Sequence, residues 1–385
     1  MPMLRRKSKA NSLHYLDGSM VALCFARAQV ALAPSYGTGH DGPTRVHERH
    51  SMTSVPQMMR ALRVNRLADE FAGCAVETIA VPQPGPGEVL VRVRASGLGF
   101  PDLLMTRGAY QAKPPLPFTP GGDMAGEVVQ VGDGVDRFAP GDAVVAGAAL
   151  GGFAQFAVYP VAALRPKPAR MSFAQAASFG SAYLTAWVAL VRRARLEPGE
   201  WVLVHGAAGG VGLAAVDLAR ALGARVIAAG ASPEKLALVE RDYGPDAVVL
   251  SAPGFREEVK AITGGGADVI YDPVGGDVFD ESTRCIAFDG RLLVIGFTSG
   301  RIATVATNIA LIKGFSVIGV RAGEYGRRFP DRGHDNLAAI WAMAEAGRLT
   351  PRVHAQVPLD RWRDAFAMMA AREVVGRVVI APNAD

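Results

Sequence analysis

Three glycines, Gly206, Gly209 and Gly212, recur at a spacing that could cradle a phosphate-rich ligand. Glycine at such points lets the chain turn sharply, lets backbone approach a phosphate, and lets a helix pack tightly on its strand. Val202, Leu203 and Val204 precede them as an apolar run suited to a parallel strand covered on both faces. An Ala/Leu-rich stretch, Leu213–Leu222, follows and predicts a helix. A helix opening near Gly210 aims free N–H groups and the positive end of its dipole at a bound pyrophosphate. Gly206, Ala207, Gly209, Gly210, Val211 and Gly212 are therefore the candidate dinucleotide cradle.

The next strand, Arg225–Ala229, decides which dinucleotide. An NAD site places an acid at its exit to accept from the ribose 2′-hydroxyl. Here the exit reads Gly230, Ala231, Ser232, and the first acid is Glu234, beyond Pro233. Ser232 and Lys235 offer a hydroxyl and a cation suited to a 2′-phosphate. The expected cofactor is NADPH.

The elements that must position these residues follow from periodicity. Arg60–Val64, Val89–Ala95, Glu127–Val131 and Ala143–Gly147 predict short strands between Pro/Gly turns, a β-rich, barrel-like domain over residues 59–182. From Tyr183 helices and strands alternate. Strands are predicted at Val248–Leu250, Val269–Tyr271, Leu292–Ile295 and Val317–Val320, and helices at Pro233–Tyr243, Phe255–Ile262 and Phe279–Ala287. That alternation implies an α/β fold, a doubly wound parallel sheet over residues 183–320. Helices Leu337–Ala346 and Arg361–Ala370 and a last strand, Gly376–Ala381, are expected to rejoin the first domain, which residues 321–385 complete. The dinucleotide domain is then an insertion, with the cofactor in the cleft beyond the strands' carboxyl ends.

The chain has 385 residues and net charge +5. Residues 1–58 hold seven Lys/Arg against three acids, which leaves only +1 for the rest. Nucleic acid is therefore not expected as a main partner. That extension lacks periodicity and reads as disordered. Met20–Ala33 is apolar but interrupted by Arg27, so a signal peptide fits poorly. A transit segment or an over-long start before Met58 or Met59 are the other readings. No window reaches the ~18 uninterrupted apolar residues of a membrane span. Cys24, Cys74 and Cys285 lie far apart, with no CxxC pair. That excludes a disulfide scaffold and suits a reducing, cytoplasmic setting.

Several motifs occur in one order: Gly97–Asp102 with Arg107–Tyr110, Pro120–Gly126, Thr185-Ala186-Trp187, the glycine turn, Asp272–Gly276, Gly290–Gly300 and Gly376–Ile380. Over Met59–Ala381 the chain resembles the zinc-free quinone oxidoreductase branch of the medium-chain dehydrogenase/reductases, the group containing zeta-crystallin. The resemblance implies a Rossmann domain inserted in a GroES-like catalytic domain. It also implies hydride delivery from NADPH to a quinone or an α,β-unsaturated carbonyl compound. Where zinc-dependent relatives place a Cys and a His-Glu pair, this chain has Gly99/Phe100 and Gly122-Asp123, so no metal is expected. Tyr110 matches the proton-donating tyrosine of 2-enoyl thioester reductases. Thr185 matches a threonine that bonds the nicotinamide carboxamide, Phe297 and Thr298 match the loop beside its ring, and Arg377 matches a basic residue that reaches the pyrophosphate. Gly99 stands where many quinone reductases carry Asn, and Leu104 where one branch of the family carries Tyr, which lowers the polarity of the site. Two alternatives accompany this reading. One is a short-chain enoyl-CoA reductase using Arg327, Arg328 and Arg332 for the CoA phosphates. The other is an NADPH-binding, non-enzymatic crystallin-like or RNA-binding protein. A homodimer through the edge strand Val317–Val320 is expected by resemblance.

Overall fold

Alternation of buried and exposed side chains begins at Met58 and shapes the first hairpin. Strand β1 (Met58–Val64) pairs antiparallel with β2 (Cys74–Ala80). The computed structural model describes residues 55–147 and 150–383, so the reading of the extension falls outside the described residues up to Ser54. Met58, assigned to that extension, instead opens β1.

Strand β3 (Glu88–Gly97) anchors the larger sheet because Val89, Leu90, Val91 and Val93 are wholly buried. After helix α1 (Phe100–Thr106), β4 (Asp123–Val131) returns antiparallel to β3, and β5 (Ala143–Ala146), β6 (Phe156–Pro160) and β7 (Leu164–Pro166) complete this region. Helix α2 (Phe173–Trp187) follows, capped by Ser172, whose side chain accepts from Gln175 N at 3.1 Å. Its buried Ala177, Phe179, Ala182 and Tyr183 share one core with Ala95 and Ala125 on one side and Val202 and Leu213 on the other. The expected boundary at Tyr183 therefore falls inside a helix. The connection is buried on both sides, so it is helical rather than a loop.

The next strands are β8 (Trp201–Val204), β9 (Arg225–Gly230), β10 (Ala247–Leu250), β11 (Ala267–Asp272), β12 (Ile286–Val294) and β13 (Ser316–Gly319). They form a six-stranded parallel sheet in the order β10-β9-β8-β11-β12-β13. This is the doubly wound arrangement, whose strand order reverses beside β8. Helices α3 (Gly210–Ala221), α4 (Pro233–Tyr243), α5 (Phe255–Thr263), α6 (Gly276–Ser282) and α7 (Thr307–Lys313) cover its two faces. The helix predicted over Phe279–Ala287 stops at Ser282. Ile286 already belongs to β12, and apolar periodicity cannot separate a helix end from a buried strand start.

Helices α8 (Ala322–Arg328) and α9 (Pro330–Glu345), strand β14 (Val353–Pro358), helix α10 (Trp362–Ala370) and strand β15 (Arg377–Ala381) complete the chain. Strand β15 pairs antiparallel with β3, so the last residues join the sheet of the first domain. Among the described residues no helix is long and apolar enough to cross a membrane.

Candidate nucleotide and active site

The glycine turn sits at the carboxyl end of β8. Gly206 adopts φ +56, a left-handed conformation that favours glycine, and accepts from Gly209 N at 2.8 Å. Gly212 is needed for a different reason. A Cβ there would lie 2.1 Å from the Gly206 carbonyl oxygen, so helix and turn touch backbone to backbone. Ala207 N donates to Ala229 O at 3.0 Å, which ties the turn to β9. Gly210 and Val211 open α3 without a side-chain cap, so its first N–H groups are free for a ligand. The turn is also held from the other domain, because Gly376 N donates to Ala208 O at 2.8 Å. These residues fit a dinucleotide pyrophosphate.

Ser232 caps α4, accepting from Lys235 N at 3.3 Å and donating to Glu234 at 2.7 Å. The Lys235 ammonium donates to the carbonyl of Arg372, and the Arg372 guanidinium donates to Thr298 O at 2.8 Å. Arg372 thus links the exit of β9 to the loop after β12. Sequence reasoning missed it, since it lies 137 residues from Lys235. His354 is close by; burial, Arg352 and Lys235 hold its imidazole below the usual range.

Arg377 is placed differently from expectation. Its stem packs on the glycine turn, with Cγ 3.0 Å from where a Gly210 Cβ would be. Its guanidinium, however, turns toward the first domain and pairs with Asp123 at 2.6 Å, and it donates to Ser181 Oγ at 3.0 Å. A buried guanidinium must meet a carboxylate, and Asp123 supplies one. Asp102 lies alongside, accepting from Gly99 N at 2.8 Å and Gly121 N at 3.0 Å. Burial pushes its carboxyl up to about 6, against the pull of those donors and of Arg377.

Tyr110 is half-buried against the core containing Leu62, Leu103 and Phe366. Among the described residues nothing bonds its hydroxyl. Thr185 donates to Ser181 O at 2.8 Å, which leaves its lone pairs for a donor. Thr298 N donates to Pro273 O at 3.1 Å, and Phe297 packs against Gly275, whose Cβ would meet its ring at 3.1 Å. Asp272 shapes this corner by accepting from Val274 N at 2.7 Å and Gly275 N at 2.9 Å. Beneath the turn, His205 is wholly buried; its Nε2 lies 2.8 Å from Ser282 Oγ, and burial pushes its imidazole down to about 3. It is neutral at pH 7.

Arg327 and Arg328 both pair with Glu324, at 2.9 and 2.8 Å, and Arg332 lies over the Phe329 ring. The cluster considered for CoA phosphates is thus largely engaged within its own helices. Among the described residues no three His, Cys, Asp or Glu side chains gather as a metal site.

Comparison with known proteins agrees with this geometry. Residues 210–338 match the zinc-binding dehydrogenase family, and residues 85–169 match the alcohol dehydrogenase GroES-like domain. The chain is 39% identical over 300 residues to a quinone oxidoreductase-like protein 2 homolog of Nematostella vectensis, covering 77% of this chain and 82% of that one. It is 32% identical over 320 residues to human quinone oxidoreductase, covering 82% and 94% respectively. Among solved structures, the quinone oxidoreductase of Thermus thermophilus, described alone and with NADPH, superposes with TM-score 0.72 at 33% identity. That match covers 84% of this chain and 100% of the other.

Proposed function

The chain belongs to the quinone oxidoreductase branch of the medium-chain dehydrogenase/reductase superfamily, and from that premise we propose that it reduces a quinone or an α,β-unsaturated carbonyl compound with NADPH, without zinc. The observation that carries this reading is the glycine turn beyond β8, where Gly212 leaves no room for a side chain above Gly206. When bound, NADPH supplies the hydride. The chain's own residues supply binding, orientation and a proton. N–H groups at the start of α3 meet the pyrophosphate, and Lys235 with Arg372 and Ser232 meets the 2′-phosphate. Thr185 accepts from the carboxamide, while Phe297 and Thr298 flank the ring. Tyr110 gives its proton to the substrate oxygen, a role supported by its uncommitted hydroxyl.

Gly99, Phe100 and Gly122 carry no ligand atoms, and Asp123 is held by Arg377. A simple ketone is a hard substrate under those conditions. In a conjugated system the negative charge spreads to an oxygen that a single hydroxyl can serve.

The test is an NADPH oxidation screen with 1,2-naphthoquinone, 9,10-phenanthrenequinone, a simple enone and crotonyl-CoA, run on the parent and Tyr110→Phe. A quinone or enone should turn over faster with NADPH than with NADH. Tyr110→Phe should lose about 100-fold in kcat, within the range of general acid catalysis, at unchanged NADPH affinity. Coenzyme binding without oxidation by any substrate would make this a nucleotide-binding protein instead. Turnover of crotonyl-CoA alone would make it a thioester reductase. Full activity in the Phe variant would assign the proton donor elsewhere.

A homodimer through β13 belongs to the same proposal. It is an edge strand, and Phe288, Leu311 and Ile312 beside it are 83%, 82% and 74% exposed. An apolar edge of this kind needs covering. Sedimentation velocity should give a dimer for the parent and a monomer for Leu311→Asp; a monomeric parent would reject it.

A further inference from the structure

On the face of the parallel sheet opposite α3, a cavity of about 700 Å³ opens between α5, α6 and α7. Its charges do not balance. Two carboxylates line it, and both are engaged. Glu257 accepts from Arg256 at 2.9 Å and from Lys260 at 3.4 Å, and Asp280 accepts from Arg301 at 2.5 Å. Arg284 and Lys313 also line the cavity and have no ion-pair partner among the described residues. Lys313 is half-buried there. Burial and the charges of Lys260 and Arg284 pull its ammonium below the usual range. Cations crowded this way repel one another, and an anion in the cavity would relieve the repulsion. The remaining wall includes Val305 and Ile309, so a ligand can bury an apolar body as well as a charged head.

We propose that this cavity binds a small phosphomonoester, its phosphate held by Lys260, Arg284 and Lys313 and its apolar body against Val305 and Ile309. The three cations come from separate places: the last turn of α5, the turn after α6 and the end of α7. Donors surrounding one point suit a tetrahedral dianion better than a planar carboxylate, which a single guanidinium fork satisfies. The chain from Phe297 to Val305 joins the proposed nicotinamide side to this wall.

Phenyl phosphate is the probe, with inorganic phosphate and benzoate as controls. Each is titrated calorimetrically into the full chain, with and without saturating NADP⁺. Phenyl phosphate should bind at sub-millimolar concentration in both conditions, more tightly than either control. Arg284→Gln with Lys313→Gln should weaken it about 100-fold or more, as loss of two charge-assisted bonds predicts, at unchanged melting temperature. Binding abolished by NADP⁺ would place the probe in the glycine turn and overturn the proposal. Full affinity in the double variant, or equal affinity for inorganic phosphate, would overturn it too. The parent–variant comparison reads the cavity whether or not coenzyme binds, so this proposal and the nucleotide reading fail separately.

Discussion

Asp123→Ala is expected to cost about 3–5 kcal/mol of folding stability, because it leaves a buried guanidinium without its counter-charge. The side chains of Asp123 and Arg377 are only 5% and 9% exposed. Asp123 also accepts from Ser181 N at 3.3 Å and from the Ser181 hydroxyl, so one carboxylate ties β4, α2 and β15 together. Part of the loss is offset. Asp123 raises the proton affinity of Asp102, and without it the Asp102 carboxyl ionises more readily and can attract Arg377. The cost should therefore fall toward the lower end of that range. Urea unfolding of the parent, Asp123→Ala, Arg377→Met and the double variant separates these contributions. The double variant should be more stable than Asp123→Ala alone, since it removes the stranded cation. A single-variant cost below about 1 kcal/mol would mean that water reaches Arg377 and that the pair is in effect a surface one.

How far the sequence could be read depended on the distance over which each residue is satisfied. The glycine turn was legible because strand, turn and helix are contiguous, and Val202–Val204 and Leu213 state their burial locally. The α4 helix was legible to its ends, Pro233 and Tyr243, because Pro and the following Gly244 punctuate it. Arg377 was not. Its stem lies on the turn as expected, but its charge is satisfied by a carboxylate 254 positions away. Arg372 escaped for the same reason; only the folded chain brings it to Lys235 and Thr298. The run Cys285-Ile286-Ala287 misled in another way. It continues an apolar pattern across a real helix end, and only pairing with β11 shows that a strand has begun.

Gly212→Ala should weaken NADPH binding by roughly 10- to 100-fold, the 1–3 kcal/mol of an overpacked contact expressed as affinity. The backbone of Gly212 is ordinary helix, so the effect comes from space rather than conformation. The added methyl would meet Gly206 O at 2.1 Å, Gly206 C at 2.8 Å and the Ala207 Cα at 3.1 Å. All three are backbone atoms and cannot swing aside as a side-chain tip would. Relief requires α3 to withdraw from β8 or the turn to open, and either motion moves the N–H groups meant for the pyrophosphate. Gly323→Ala is the control: its nearest neighbour is a flexible guanidinium at 3.7 Å, so binding and melting temperature should hold. Fluorescence titration with NADPH beside thermal melting distinguishes the outcomes. Reduced affinity at near-parental melting temperature places the cost in the ligand site. Parental affinity in Gly212→Ala would mean the nucleotide does not use this turn, and the proposed activity would lose its principal support.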